Sequence, residues 1–448
     1  MSLSFSDPLR VVGSARHNQL FWRQPAWWVC LFSLLCLTLA QFFAALTAVG
    51  GTLAAGGFVL FWIAYASAHP GLALRDLISV RLCWLLPCLA LASVLWSQDP
   101  LFTARTSVEL SLTVCGAVLV SRRVQAGGFI AALMLVLFIA IAVSLASGHM
   151  EDIGMTNQEA LAGAFGSKNY MGEMAAIFGL CCVAVLADGA QPAPMHLAAM
   201  AGAVIAPLLV WEARSIDALG AYASGLGVLA AVLVLSRIPK RLRAPVALVT
   251  AVLGLLVLVW VIVLTQGSSE SLLSTFGKDS TLTGRTYLWY RADALIAQHP
   301  LLGIGYQAFW RQGNLEAEGL WRALDVEARA GFHFHNLFYE AAIELGILGL
   351  IAVALLLFRT SLSAFRLALR SPGAQTAFFA AFALFIVVRC LLEVDVMFPF
   401  DLGTFVFAAT YAYVTQAVGA GEEVAGVAGP YGSGTRARSL PPPAWDLL

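Results

Sequence analysis

Long, uninterrupted apolar runs are the feature that most restricts how this chain can fold. Backbone groups inside a lipid bilayer must pair with one another, so only helices and closed barrels can cross it. The runs are continuous rather than alternating between apolar and polar residues, which favours helices. The sequence therefore predicts an all-α polytopic membrane protein with about 12 transmembrane helices. The predicted spans are 26–47, 51–68, 80–96, 106–120, 127–147, 172–187, 195–211, 217–235, 245–265, 337–358, 374–392 and 401–417.

The composition agrees with a membrane protein and excludes a soluble one. Of the 448 residues, 60% are hydrophobic and 12% are charged, whereas soluble domains carry about 25% charged residues. The formal net charge of zero gives no indication of a nucleic-acid partner. The eight cysteines lie in or beside apolar runs and form no Cys-x-x-Cys motif. This placement indicates small buried side chains rather than metal ligands or disulfides.

The distribution of basic residues predicts how the bundle is oriented. If the N-terminus is cytoplasmic, most of the 26 lysines and arginines fall in cytoplasmic segments, as the positive-inside rule requires. The long polar loop then lies outside, and the Gly-, Ala- and Pro-rich tail is expected to be disordered. The predicted segments are a cytoplasmic N-terminal segment 1–25, transmembrane helices 1–9 in 26–265, an external loop 266–336, transmembrane helices 10–12 in 337–417 and a cytoplasmic tail 418–448.

One long polar stretch, 267–344, interrupts the apolar sequence, and its middle part predicts a helix. Leu288, Ala292 and Leu295 fall on one face at helical spacing. Pro300 ends the pattern because the residue before a proline is disfavoured in a helix. We expect an amphipathic helix that lies at the external membrane interface.

Arg285 falls at the start of this predicted helix. Unpaired backbone N–H groups and the helix dipole favour an anion at that position. A guanidinium there adds bidentate recognition of a phosphate. The alternative is an ion pair with a nearby carboxylate such as Asp279.

A histidine pair lies where the polar stretch meets the tenth span. His335 is a candidate general base, because the usual histidine pKa of about 6.5 suits proton transfer near neutral pH. It could equally be an ordinary interfacial histidine, and His333 is a second candidate for the same role. Asn336 is a plausible cap for the helix that follows.

Two glutamates follow one turn apart on the same helical face, Glu340 and Glu344. A carboxylate buried in a membrane span is costly unless a cation pairs with it. We therefore expect an arginine partner, such as Arg285 or Arg389.

Basic residues in short external connections are a further group of candidates. Lys168 precedes the sixth span, Arg214 lies in the tight link between spans seven and eight, and Arg389 lies at the outer end of span eleven. Cations near helix ends often snorkel or form salt bridges. A pair between Arg389 and Glu393, four residues apart, is one such alternative. The other interpretation is direct contact with an anionic substrate.

These candidates together indicate the chemical class of the substrate. Cations, a histidine and carboxylates at one face of a hydrophobic bundle suit an anionic, lipid-borne molecule such as a polyprenyl diphosphate, whose head group sits at the interface. A transporter or flippase is the alternative. Transporters typically break their helices near the middle of the membrane, whereas the charges of this chain cluster at one face.

Several of these residues form a pattern that resembles the core of the O-antigen ligase and polymerase superfamily. That group includes WaaL-type ligases, Wzy-type polymerases and ExoQ-type exopolysaccharide polymerases. The pattern comprises Gly284-Arg285, Trp289, His299-Pro300-Leu301-Leu302-Gly303-Ile304-Gly305, His335-Asn336-Leu337, Glu340 and Glu344-Leu345-Gly346-Ile347-Leu348-Gly349. Phe165 to Gly172 resembles a segment of ExoQ-like members, and Arg389-x-x-x-Glu393 a late-span feature of the group. Family members often have a Ser-Arg pair in the tight link, where this chain has Ala213-Arg214-Ser215.

The resemblance implies a bacterial inner-membrane glycosyltransferase with a metal-independent, GT-C-like architecture. It implies that a glycan moves from undecaprenyl diphosphate to an acceptor sugar on the periplasmic side, with no cofactor. The predicted catalytic residues are His335, Arg285 and Arg214. The predicted substrate-binding residues are Lys168, Arg389, Glu393 and Glu340.

Motifs for a metal or a nucleotide are absent from the sequence. There is no Asp-x-Asp motif and no Walker motif, which agrees with a cationic clamp and a donor that supplies its own energy. The expected partners are an undecaprenyl-diphosphate-linked glycan, an acceptor glycan and membrane lipid, with a chain-length regulator as a further candidate. The acceptor is a lipid-linked repeat unit in polymerases and lipid A–core in ligases. The ExoQ-like segment favours a polymerase.

The orientation leads to a labelling prediction. In a cysteine-free background, a single cysteine at Ser269 or Asn314 should react with a membrane-impermeant reagent added from the periplasmic side, because both positions lie in the predicted external loop. Labelling that requires a permeabilised inner membrane would reverse the topology.

Overall fold

The computed structural model describes residues 27–46, 48–152, 159–249, 284–326, 329 and 331–427. Within this part of the chain, the only strands are Met150–Asp152 (β1) and Glu159–Leu161 (β2), which pair in antiparallel fashion. Seven of the described helices are long and apolar enough to cross a membrane, or eight if one bent pair counts as a span. The predicted all-α polytopic fold is confirmed.

The described residues up to 152 contain six α-helices. They are α1 (Trp27–Leu46), α2 (Ala48–Ala68), α3 (Pro70–Ile78), α4 (Leu85–Ala92), α5 (Pro100–Arg123) and α6 (Ala126–Ser147). Short 3₁₀ turns, Arg81–Trp84 and Ser93–Leu95, flank α4. The prediction of one span at 80–96 needs correction, because α3 and the segment Arg81–Leu95 form a pair bent by 91°.

Eight further α-helices with defined ends lie in the described residues from 159 onward. They are α7 (Lys168–Ala187), α8 (Ala193–Glu212), α9 (Ile216–Leu235), α10 (Arg285–Gln298), α11 (Leu315–Ala323), α12 (Leu337–Arg370), α13 (Ala374–Arg389) and α14 (Leu402–Val427). Residues 240–249 are also helical. The predicted ninth span, 245–265, lies largely outside the described residues. Helix α14 continues past the predicted end of the last span at 417.

Helix α7 packs in the centre of the bundle against α8, α9 and α13. Two glycines allow its neighbours to approach closely. A Cβ on Gly179 would lie 2.3 Å from the Tyr222 hydroxyl, and a Cβ on Gly202 would lie 2.4 Å from Cys182 Sγ. Small residues at helix contacts are the usual way to bring membrane helices together. The middle part of α7 is thereby held close to α8 and α9.

The turn at 300–305 is built into a break in helix α12. Gly346 has φ of 63° and ψ of −155°, which no helix allows, so the local backbone groups lose their helical partners. The turn replaces those partners. Ile304 N–H donates to the Ile343 carbonyl at 3.0 Å, Gly305 N–H to the Glu344 carbonyl at 2.8 Å, and Ile347 N–H to the Pro300 carbonyl at 2.9 Å.

The same turn is also joined to the connection between α4 and α5. Tyr306 N–H donates to Ser93 Oγ at 3.0 Å, and Thr103 Oγ1 donates to the Tyr306 carbonyl at 2.8 Å. The Tyr306 hydroxyl donates to the Met397 carbonyl in the connection between α13 and α14. We call this end of the bundle, where the 284–336 segment packs on the helices, the loop end.

The amphipathic helix α10 forms as predicted, beginning at Arg285 and ending before His299. Its apolar face does not lie free at an interface. Leu288 and Ala292 are 2% and 0% exposed and belong to a second apolar core with Phe309 and Phe334. The location of α10 at the external interface stays a prediction, while its apolar face is covered by the protein itself.

The docking of the turn leads to a stability prediction for Gly346→Ala. An alanine there would be strained by the positive φ and would place its Cβ 2.3 Å from the Leu301 backbone. Backbone strain of this kind costs about 1–3 kcal/mol, and the clash adds to it. We expect a lower melting temperature and faster proteolysis of the 284–336 segment in detergent.

Gly227→Ala is the matched control, because an alanine Cβ at this open helical position meets nothing within 4 Å. Its melting temperature should stay at or slightly above that of the wild type. Equal behaviour of the two variants would contradict the proposed role of the break.

Candidate functional site: a carboxylate shared by an arginine and two histidines

The Glu393 carboxylate is the centre of a buried polar cluster at the loop end. Glu393 follows α13 and is only 3% exposed. Its Oε1 lies 2.5 Å from Arg285 Nη2, and its Oε2 lies 3.2 Å from His335 Nδ1 and 3.4 Å from His333 Nε2. Asn169 Nδ2 donates to Oε1 at 2.8 Å. Residues from four separate parts of the chain therefore meet at one carboxylate.

Burial alone would raise the pKa of Glu393, but the nearby His335 and Arg285 together hold that pKa well below its usual value. The carboxylate is therefore ionised at neutral pH. A buried carboxylate paired with a guanidinium contributes stability above its ordinary pKa, and this contribution is lost as the pH falls towards the lowered value.

Arg285 is held at the first position of α10, after Gly284, whose φ is +86°. Only 5% of the residue is exposed. Nη2 pairs with Glu393, but Nη1 is buried and has no hydrogen-bond partner in the described part of the chain. A buried guanidinium N–H without an acceptor is costly. One edge of this guanidinium is thus available for a ligand that brings acceptor oxygens.

His335 has an unusual backbone that fixes its ring. Its φ is +50°, in the left-handed region that few residues other than glycine adopt. The His335 N–H donates to His333 Nδ1 at 3.0 Å. The His335 ring directs Nδ1 at Glu393, and 21% of the side chain remains exposed. A proton on Nδ1 would be donated to Glu393, which leaves Nε2 as the acceptor nitrogen.

His333 is a different kind of histidine. Its burial, followed by the nearby His335, lowers its pKa to about 3, so it is neutral at physiological pH. Because its Nδ1 accepts the His335 N–H, its single proton lies on Nε2, facing Glu393. Neither nitrogen is left to accept a proton from a substrate. The geometry therefore favours His335 over His333 as a base.

Arg214 and Lys168 lie next to this cluster through their neighbours. Ser215 Oγ donates to Asn169 Oδ1 at 3.2 Å, and Asn169 in turn donates to Glu393. Lys168 Nζ lies 3.5 Å from the Arg214 carbonyl. Arg214 has φ of +46°, so the tight link between α8 and α9 turns sharply at this residue. The backbone at 214 is thereby held close to the Glu393 cluster.

Arg389 lies one layer deeper and does not pair with Glu393. Its guanidinium contacts Asp395 at 2.6 Å, Asp217 at 2.7 Å and Glu173 at 3.2 Å, and the side chain is 2% exposed. The expected i,i+4 pair is wrong because α13 ends at Arg389, so Glu393 is no longer on the same helix. The enclosed position favours a role in positioning rather than in substrate contact.

Glu340 and Glu344 also differ from expectation. Both are buried, and within the described residues neither carboxylate forms an ion pair with an arginine or a lysine. Glu340 Oε2 accepts the Phe334 N–H at 2.8 Å. The expected arginine partner is wrong because Arg285 and Arg389 are engaged by other carboxylates. Glu340 instead fixes the backbone just before His335.

His333, His335 and Glu393 each offer one possible metal-ligand atom, and these atoms lie within 4.8 Å of one another. Such a trio is the minimum that a transition-metal site needs. The donor set fits an ion pair better than a metal site, because the Arg285 guanidinium contacts the same carboxylate at 2.5 Å. The guanidinium cation therefore already pairs with the carboxylate that a metal would need as a ligand.

Sequence reasoning missed Asn169, Ser215, Asp217 and Glu173 as members of the network. Asn169 and Ser215 are next to the predicted site residues Lys168 and Arg214. An amide or a hydroxyl side chain does not by itself indicate a functional site. Glu173 was detectable, because an acid inside an apolar run is costly and usually has a function or a partner.

The fold and this cluster define a polytopic helical membrane protein with an ionic site at one end of its bundle. Residues 201–354 match the family described as O-antigen ligase. The chain is 30% identical over 395 residues to the exopolysaccharide production protein ExoQ of Rhizobium meliloti (strain 1021), covering 86% of this chain and 88% of that protein. The chain belongs to the O-antigen ligase and polymerase superfamily, which confirms the resemblance carried by its motifs.

Proposed function

We propose that the protein is an inner-membrane glycosyltransferase that moves glycan repeat units from undecaprenyl diphosphate to an acceptor sugar at the periplasmic face. Its most specific form would be an ExoQ- or Wzy-type exopolysaccharide polymerase. The observation that carries the proposal is the Arg285 guanidinium, which is buried at the loop end beside His335 and whose Nη1 has no hydrogen-bond acceptor among the described residues. A diphosphate oxygen is the acceptor that a guanidinium binds best.

Arg214 and Lys168 extend the cationic surface in this proposal. Arg214 lies in the tight link beside Ser215, and Lys168 Nζ approaches the Arg214 carbonyl. Arg285 and Arg214 would bind the diphosphate and stabilise the charge that develops on it as it leaves. Lys168 would neutralise a further phosphate oxygen.

His335 is the proposed general base. Its Nδ1 faces Glu393, so Nε2 would accept the proton of the acceptor hydroxyl. The acceptor oxygen forms a bond to the anomeric carbon of the donor while the bond from that carbon to the diphosphate oxygen breaks. The electron pair of that bond leaves with undecaprenyl diphosphate, and the anomeric configuration inverts. Arg285 would act on the donor and His335 on the acceptor, and Glu393 contacts both side chains.

Glu340 and Arg389 act through other residues in this proposal. Glu340 positions the Phe334–His335 backbone, and Arg389 gathers the carboxylates beneath the cluster. The clamp of arginines would do the work of a metal, and the phosphate ester of the donor supplies the energy, so no cofactor is required.

The identity of the acceptor separates two versions of the proposal. Similarity to ExoQ over most of the chain favours a polymerase, with a lipid-linked repeat unit as acceptor and a chain-length regulator as a candidate partner. The match of 201–354 to the O-antigen ligase family favours a ligase, with lipid A–core as acceptor. A polymerase holds two diphosphate-bearing lipids at once, and Lys168 as a third cation suits that need.

The clamp predicts the effect of Arg285→Lys. Lysine keeps the charge but loses the planar fork that contacts Glu393 and the diphosphate together. Glycan transfer in reconstituted membranes should fall about a hundredfold or more, while the amount of inserted protein stays unchanged. Arg214→Ala should reduce transfer in the same way.

Arg291→Lys is the matched control for Arg285→Lys, because Arg291 is on the same helix but its side chain is 38% exposed and pairs with Glu316 at 2.6 Å. Its activity should remain close to that of the wild type. Normal transfer by both Arg285→Lys and Arg214→Ala would remove the clamp from the mechanism.

The choice of polymerase over ligase predicts the products of a deletion strain. Loss of a polymerase should abolish high-molecular-weight polysaccharide and leave single lipid-linked repeat units, which gel electrophoresis and mass spectrometry of the lipid extract would detect. The purified protein should build long lipid-linked chains from such units without lipid A–core. Accumulation of long undecaprenyl-linked chains together with unsubstituted lipid A–core would instead identify a ligase.

A further inference from the structure

Asn169, in the first turn of α7, joins two parts of the loop end that are far apart in sequence. Its Nδ2 donates to Glu393 Oε1 at 2.8 Å, and its Oδ1 accepts from Ser215 Oγ at 3.2 Å. Glu393 follows α13, whereas Ser215 lies in the tight link between α8 and α9. One amide therefore connects the carboxylate at the centre of the site with the residue that follows Arg214.

The two contacts determine which way round the amide lies. An ionised carboxylate only accepts hydrogen bonds, so the NH₂ group of Asn169 must face Glu393. The Oδ1 atom then faces Ser215, which is fully buried. Among side chains of this shape, only an amide supplies a donor at one end and an acceptor at the other, because an ionised aspartate only accepts and a leucine does neither. The position therefore requires asparagine for a chemical reason.

Backbone packing holds Asn169 against the tight link. Gly172 comes three residues later and lies on the same face of α7. A Cβ on Gly172 would lie 3.1 Å from Ser215 Cβ, so the helix and the link are in close contact there. At the start of the helix, the Lys168 N–H donates to Glu151 Oε2 at 2.7 Å. The backbone that carries Asn169 is thereby held from two sides.

The link itself is anchored on its other side. The Ser215 hydroxyl also lies 2.7 Å from Asp217 Oδ1, and Asp217 Oδ2 pairs with Arg389 Nη1 at 2.7 Å. Hydrogen bonds therefore run without a gap from Arg389 through Asp217, Ser215 and Asn169 to Glu393. In this chain of contacts, Asn169 is the step that joins the anchored link to the carboxylate of the site.

We propose that Asn169 is a positioning residue for glycan transfer, which fixes the link that carries Arg214 relative to the carboxylate that contacts Arg285 and His335. The inference rests on the proposed function, in which the two arginines stabilise one leaving diphosphate. Two cations stabilise a developing charge only if their separation matches the group that carries it. A misplacement of about 1 Å can cost about a hundredfold in rate. Asn169 acts through these residues rather than on the substrate.

The test is steady-state glycan transfer by the full chain in reconstituted membranes. The donor is an undecaprenyl-diphosphate-linked repeat unit, and the acceptor is either the same unit or lipid A–core. Asn169→Ala should lower kcat about tenfold to a hundredfold, while the KM for the donor stays close to that of the wild type, because the lost alignment matters in the transition state. Asn169→Asp has nearly the same shape but replaces the donor with a second negative charge beside Glu393, so it should lose at least as much.

Gln191→Ala is the matched control, because Gln191 is a buried amide in the connection at the other end of α7. Its Nε2 donates to the Gly127 carbonyl at 3.2 Å and to Asp188 Oδ2 at 3.1 Å. Each of the two alanine variants therefore removes a pair of amide hydrogen bonds, and both should lower the melting temperature. Only Asn169→Ala should lower kcat. An equal loss of kcat in Gln191→Ala would attribute the loss to general destabilisation and overturn the inference.

A double variant of Asn169→Ala and Ser215→Ala tests the bridge directly. Both substitutions break the same connection, so the double variant should lose no more kcat than the more damaging single variant, whereas independent effects would multiply. Multiplied losses, or a normal kcat in Asn169→Ala, would overturn this inference and leave the proposed function intact. A wild type that transfers no glycan from the undecaprenyl diphosphate donor would instead overturn the proposed function, and this inference with it.

Discussion

The ion pair between Arg285 and Glu393 is the contact on which the loop end depends. A guanidinium enclosed at the end of an apolar bundle is unfavourable unless a carboxylate meets it, and breaking such a buried pair costs about 3–5 kcal/mol. Glu393 also receives His335, His333 and Asn169. One carboxylate therefore sets the relative positions of α10, the start of α7 and the turn that enters α12, and a change at any of these elements is felt by the others.

The break in α12 shows how the loop is attached without relying on side chains. A continuous helix would use the Ile343 and Glu344 carbonyls internally, whereas the break at Gly346 frees them for the 300–305 turn. Backbone hydrogen bonds fix distance and direction more tightly than a long side chain does. The glycines of the turn and of the helix thus form one joint, which explains why the two motifs, distant in sequence, belong to one recognisable pattern.

The sequence was sufficient to predict the helical class, and the predicted spans within the described residues coincide with apolar helices except at 80–96, where the chain is bent. The hydropathy of each apolar run is enough to predict a helix there, without reference to the rest of the chain. Arg285, His335 and the Asn336 cap were also predictable, because each lies at a helix terminus where its chemistry is local. The partners of Arg389 and Glu340 were not, since pairing in a buried network depends on which helices meet. The spacing of four residues predicted a contact between Arg389 and Glu393. Because α13 ends at Arg389, Asp395 pairs with Arg389 instead.

Two ionic clusters at the loop end, one around Glu393 and one around Arg389, stabilise charged side chains inside the apolar bundle. The outer one, around Glu393, keeps part of Arg285 and part of His335 available to a ligand. The inner one, around Arg389, has an excess of carboxylates, and Ser215 joins the two by contacting both Asn169 and Asp217. Negative charge beneath the Glu393 cluster attracts the cations around it, and Arg285 Nη1 has no hydrogen-bond partner among the described residues. In the proposed function, this arrangement would help to keep a cationic site for an anionic lipid rigid, because the charges of the site are held by fixed carboxylates rather than by solvent.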